Sequence, residues 1–179
     1  MKKALLMAVA MFLPISIFLF LKFFGKNEFV VEPLFQKNDS TVTIACNKPI
    51  TYPYKVSIQQ LDTLLKSKQA TLTAISFSED EERLKDFAER VQEKFTIREI
   101  SLYQVKSDSI ISNQNKKFQT VVEDIVRREE LRSCVFLLSG LNNLVLIDRE
   151  GKIRGQYQLG NLDEEDRLLV ETTIILKKY

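Results

Sequence analysis

Histidine and tryptophan are absent from this chain of 179 residues, and cysteine occurs twice, at Cys46 and Cys134. Without histidine there is no Ser/His or Cys/His nucleophilic pair and no imidazole ligand for a metal. Two cysteines 88 positions apart form no C-x-x-C motif. Five glycines and four prolines leave no low-complexity tract, and no internal repeat or Pro/Gly-rich break marks a second globular domain. An excess of positive charge is missing as well. The formal charge is +2, but Lys2, Lys3, Lys22 and Lys26 flank the first apolar run, so the remainder carries 22 bases against 24 acids. No basic patch with interleaved aromatics appears, and nucleic acid is not an expected partner.

What is present begins with an uncharged run, Ala4 to Leu21, "ALLMAVAMFLPISIFLFL". As a helix its eighteen residues would span roughly 27 Å, about the hydrocarbon thickness of a bilayer. A cleaved signal peptide is the competing reading. Its apolar region is usually shorter and ends in a small-residue cleavage site, whereas "KFFGKNEF" follows here. The expectation is a membrane anchor over residues 1–26 and one domain over residues 27–179. A short basic N-terminus with the whole domain after it favours an extracytoplasmic domain, on the periplasmic side of an inner membrane. In that compartment Cys46 and Cys134 either pair or serve as small buried hydrophobes.

The domain reads as alternating elements. "STVTIAC" (Ser40 to Cys46) is strand-like and "SIQQLDTLLKS" a short helix with a Ser57/Gln60 capping box. "ATLTAISF" (Ala70 to Phe77) is a strand; Leu84, Phe87, Ala88, Val91 and Phe95 then keep helical spacing. "TIREISLYQV" is the next strand, and Phe118, Val121, Val122 and Ile125 suggest a further helix. "RSCVFLLS" and "NLVLIDREGKIRGQYQL" read as strands, the latter a hairpin turning at "REGK". A last helix follows, capped by Asn161 and carrying Leu168, Leu169, Thr172, Ile175 and Leu176 on one face. The order β, α, β, α, β, α, β, β, α describes an α/β protein of thioredoxin-like type, a central mixed sheet flanked by helices.

The one stretch that invites a chemical reading is "AISFSEDEERLKDF", where a strand runs into Glu79, Asp80, Glu81 and Glu82. Ser78 with Glu81 has the S-x-x-E form of a capping box. Acids in a first helical turn interact favourably with the helix dipole, by roughly 0.3–1 kcal/mol each. A calcium loop would need alternating oxygen ligands and a glycine turn, which "EDEERL" lacks, and paired catalytic carboxylates have no neighbouring group to act with. The acid run is therefore read as a helix start with Ser78 as its cap.

The C-terminal stretch "NLVLIDREGKIRGQYQLGNLDEEDRLL" resembles the Sco/SenC family, membrane-anchored thioredoxin-like proteins of cytochrome c oxidase assembly. Leu146, Ile147, Asp148, Gly151, Ile153, Arg154 and Gly155 carry the match, supported by "AERVQEKF" before a strand and by the N-terminal run. The resemblance implies a CxxxC pair at the strand-to-helix junction, here within Phe77 to Lys85, and a histidine shortly before the "VLID" strand, here near Ser139 to Asn143. Neither stretch holds the required residue. Copper(I) needs soft donors, which a carboxylate run does not offer.

The leading expectation is a membrane-anchored thioredoxin-like protein that acts by binding a protein partner, an accessory factor in respiratory oxidase assembly. It would have no catalytic residues, cofactor or metal site. The alternatives are a copper chaperone or thiol-disulfide oxidoreductase working through Cys46 and Cys134, and a structural envelope protein. If the uncharged run is an anchor, the full-length chain stays in the membrane pellet after an alkaline carbonate wash. A soluble mature form beginning near Asn27 would show that the run is cleaved.

Overall fold

The computed structural model describes residue 3 and residues 12–20, 30–37, 50–65, 70–107 and 117–178. Two compact units are present, residues 1–30 and residues 31–179. In the first, residues 12–20 are helical (α1) with their side chains exposed. Among the described residues no helix is long and apolar enough to cross a membrane; the rest of the run from Ala4 to Leu21 lies outside them. The expected strand Ser40 to Cys46 also lies outside the described residues.

The second unit contains α2 (Ile58–Leu65), β1 (Leu72–Ser76), α3 (Glu81–Lys94), β2 (Ile100–Lys106), β3 (Gln119–Val122) and α4 (Ile125–Glu130). These are followed by a π-helical turn (Leu131–Val135), β4 (Leu144–Asp148), β5 (Ile153–Tyr157) and α5 (Leu162–Lys178). The strands form one sheet in the order β3-β2-β1-β4-β5, with β1, β2 and β3 parallel and β4 and β5 antiparallel to their neighbours. A parallel βαβ unit joined to an antiparallel hairpin and a closing helix is the thioredoxin-like arrangement of a mixed sheet with flanking helices.

Both faces of the sheet are covered, which explains why β1 is buried at all five positions. On one face Leu72, Ala74, Ile100, Leu102, Leu144 and Leu146 pack against Leu84, Phe87, Ala88 and Val91 of α3 and Leu168, Leu169 and Ile175 of α5. On the other, Ile75, Tyr103, Val105, Val145 and Ile147 meet Leu61, Leu64 and Leu65 of α2 and Leu131, Val135 and Phe136 of the π-helical region. Alternate residues of each strand serve alternate layers, as the pleat requires. Between the two outer helices of the first face, Arg90 joins Glu165 at 2.6 Å and also bonds Asp166.

Two expected elements differ. The segment expected as a helix from Phe118 opens instead as β3, where β-branched Thr120, Val121 and Val122 pair with β2, and the helix begins after the Asp124 cap. "RSCVFLLS" is no strand. Its apolar residues continue α4 as a π turn, with Phe136 N donating to Leu131 O at 2.9 Å, and the place beside β1 is filled by β4. A short apolar run has no period by which to tell the two apart.

The β4–β5 hairpin is held from within. Asp148 Oδ1 accepts from the backbone N of Glu150 and Lys152, both at 2.9 Å, and Oδ2 takes Arg154 Nε and Nη2 at 2.7 Å each. The two side chains are 10% and 5% exposed, so each charge depends on the other. Gly151 turns the chain at φ +77°, and a Cβ there would lie 2.2 Å from Val56 O. At Gly155 a Cβ would lie 2.0 Å from the Tyr157 hydroxyl, which folds over it to donate to Glu171 Oε2 at 2.6 Å. Burial, helped by the Glu171 carboxylate, pushes the Tyr157 phenol far above its ordinary range and keeps it a donor.

Removing one partner of the Asp148–Arg154 pair leaves a buried charge, so Asp148→Ala is expected to cost about 3–5 kcal/mol in urea denaturation. Adding Arg154→Met in the same chain should recover part of that loss.

Candidate functional site

β1 and β2 end side by side, with Ser76 in register with Gln104, and the chain leaves β1 through Phe77 to Asp80 into α3. The helix N-terminus therefore stands at the carboxyl end of the parallel pair, where open α/β sheets bind their ligands. Here that corner is tied shut by its own side chains. Ser76 Oγ accepts from Ser78 N at 3.1 Å, Ser78 Oγ from Asp80 N at 3.2 Å, and Asp80 Oδ1 from Arg83 N at 3.1 Å. Gln104, fully buried, donates its Nε2 to Ser78 O at 2.9 Å.

The expected cap is displaced by two residues. Asp80, not Ser78, is the N-cap of α3, and the helix begins at Glu81. Ser78 is used one step earlier, to fix the turn that delivers Asp80, because the buried Ser76 hydroxyl and Gln104 amide hold its backbone against the sheet.

Each of the first three acids has a basic partner. Glu79 meets Arg128 of α4 at 2.9 Å, Asp80 meets Arg83 at 3.3 Å, and Glu81 meets Lys106 at the end of β2 at 2.7 Å. Arg128 is the centre of this group. Its Nε donates to Val105 O at 3.2 Å, its Nη2 donates to Phe77 O, and its guanidinium lies 5.9 Å from the Phe77 ring centroid. The Arg128 and Lys106 side chains are 16% and 14% exposed, whereas Glu79 and Glu81 are 57% and 38% exposed. The bases are thus the inner members and the acids the outer ones.

The second stretch that the resemblance singled out does meet the first. Phe77 N donates to Asn143 O at 2.7 Å, while Asn143 Oδ1 accepts from Leu159 N at 2.7 Å and its backbone N donates to Tyr157 O at 3.0 Å. Arg83 extends the junction by donating to Gly160 O at 3.0 Å. The strand-to-helix turn and the loop before β4 therefore share one corner, furnished with serine, carboxylate and asparagine where thiol and imidazole chemistry would need cysteine and histidine.

Cys134 stands elsewhere, in the π turn after α4 rather than in a strand, and it is disulfide-bonded. Cys46 lies outside the described residues. Among the described residues there is no free cysteine and no group of three or more His, Cys, Asp or Glu side chains that could hold a metal. A cleft of about 460 Å³ lies at the opposite end of β1, between Thr71, Glu99, Asp148 and Ile175. What the corner does is electrostatic: it neutralises an acid run and closes strand ends. Sequence reasoning missed Arg128, Lys106 and Gln104. Their only signal was a base or amide at a strand end or helix start, which is too common to single out.

No family model matches the chain, and no curated protein matches it. Among solved structures it is similar to a peroxiredoxin-like protein from Aquifex aeolicus, with 14% identity, coverage of 60% of this chain and 72% of the other, and a TM-score of 0.41. It is also similar to Xanthomonas campestris peroxiredoxin Q, at 16% identity, 60% and 81% coverage and a TM-score of 0.39. The thioredoxin-like class of this chain stands on its own strand order and on the placement of α3 and α5.

Replacing Asp80 by alanine is expected to cost about 1 kcal/mol, the usual loss of an N-cap. Glu81→Gln should change stability by less than about 1 kcal/mol, since its ion pair is partly solvated. Arg128→Met, which strips donors from Phe77 O and Val105 O, should cost more than either, about 2–3 kcal/mol in the same denaturation assay.

Proposed function

We propose that the protein is a membrane-anchored thioredoxin-like protein that has given up redox and copper chemistry and works by binding a protein partner. We place it as an accessory factor of the Sco/SenC type in respiratory oxidase assembly, facing the periplasm. The observation that carries this reading is the corner between β1 and α3. The position that would present a reactive group at a helix N-terminus holds Ser78, Glu79 and Asp80, each committed to a hydrogen bond or ion pair. A helix N-terminus lowers a thiol's pKa and so suits a nucleophile, but acting on a carboxylate it only stabilises a helix start. The uncharged run from Ala4 to Leu21 supports the anchor, and the hairpin residues Asp148, Gly151, Arg154 and Gly155 support the family.

Tight copper(I) binding needs at least two converging soft ligands. The sulfur available is Cys46, Cys134 and three methionines; the methionines, Met1, Met7 and Met11, lie in or before the uncharged N-terminal run. The purified, reduced chain is therefore expected to lose copper(I) to a competing chelator and to show no turnover of a disulfide substrate. Stoichiometric copper that survives the chelator and vanishes in both Cys46→Ser and Cys134→Ser would replace this reading by the copper chaperone one.

A further inference from the structure

We propose that the protein self-associates through the outer edge of β3, two copies pairing this strand antiparallel across a two-fold axis. Among the described residues β3 is the terminal strand of the sheet and pairs only with β2. The opposite edge is treated differently. Along β5, Leu34 N donates to Ile153 O at 2.8 Å and Arg167 donates to Gln156 O at 2.7 Å, so outward-facing backbone groups are already engaged. Among the described residues nothing comparable lies along β3, where Gln119, Thr120 and Val122 are exposed. Immediately after it, Ile125 and Val126 are 73% and 79% exposed. An uncovered strand edge with grouped β-branched side chains at its end is a template for another strand, and proteins that do not use such an edge generally block it.

The order of charges identifies a second copy as the occupant. Lys117 precedes β3, and Glu123 and Asp124 follow it. With the two-fold axis on Thr120, antiparallel pairing sets opposite residues on the same face and places Lys117 of each copy opposite Glu123 of the other. That register meets base with acid at both ends of the seam, whereas a parallel pairing would bring acid to acid and base to base. A surface that carries its own complement in this way is what a two-fold contact requires. The existing Lys117–Glu89 pair lies on the surface, with side chains 35% and 44% exposed, and an ammonium has three donors to share. Four strand residues and these side chains cover less than the roughly 800 Å² per partner of a standard interface, so the association is weak and depends on concentration.

Sedimentation velocity of the full chain in detergent, from micromolar to near-millimolar concentration, tests this. The expected result is a monomer–dimer equilibrium that Lys117→Glu and Glu123→Lys each weaken roughly tenfold, and that the double variant restores to within about threefold of the parent. Circular dichroism melting of each variant confirms that the fold is intact. A chain that stays monomeric throughout the range overturns the proposal, as does a dimer indifferent to both single changes. A dimer weakened by each change and not restored by the two together overturns the antiparallel pairing.

Discussion

Two parallel strands that end side by side leave carbonyl groups pointing off the sheet, and a buried backbone carbonyl without a donor costs free energy comparable to a lost hydrogen bond. In this protein Arg128 meets that constraint for Phe77 and Val105 together. Much of the corner follows from placing a guanidinium there. A cation that is mostly buried requires an anion, which Glu79 provides; α4 has to cross the strand ends to deliver it; and α3 has to begin where Asp80 can cap it without competing for the same base. The acid run is the counter-charge of a structural arginine as much as it is a helix start.

The residues that carry the resemblance have separate structural causes. Asp148 staples the hairpin turn and neutralises Arg154, Gly151 reverses the chain against Val56, and Gly155 leaves room for Tyr157 to reach Glu171. Each would be required of any sequence that folded this hairpin onto this helix, whatever its chemistry. They bear on architecture, and function has to be argued from the corner at β1 and α3, where the side chains differ from what thiol or copper work needs.

The elements most legible in the sequence were those with a long period or a turn of definite chemistry. α3 and α5 keep their apolar stripes over 14 and 17 residues, and "DREGK" turns between two strands with an acid placed to accept from the turn. β3 and the π turn were illegible for a physical reason. Val121, Val122 and Ile125 fit a helical spacing by accident of a strand meeting a helix, and Val135 to Leu138 is a run of four apolar residues buried at every position, so no face could be read from it. The cap at Asp80 was missed because Ser78 and Asp80 are both good caps. The choice between them is made by Ser76 and Gln104, one a strand neighbour and the other brought from another strand. The resemblance singled out the stretches Phe77–Lys85 and Ser139–Asn143 separately; that they meet is seen in the bond from Phe77 to Asn143.

This arrangement differs from what a redox corner at the same place in the fold would require. A redox corner needs a thiol that is accessible and destabilised as a neutral group, which means leaving the helix N-terminus partly open. Where no thiol stands, nothing opposes closing it, and carboxylates are the side chains that best stabilise a helix start while neutralising nearby bases. Ser78, Asp80, Glu79 and Glu81 close it from one side and Lys106 and Arg128 from the other. Two of these contacts come from elements distant in sequence, so the corner helps to join β1, β2, α3 and α4. The proposed binding role would ask only that this surface be rigid.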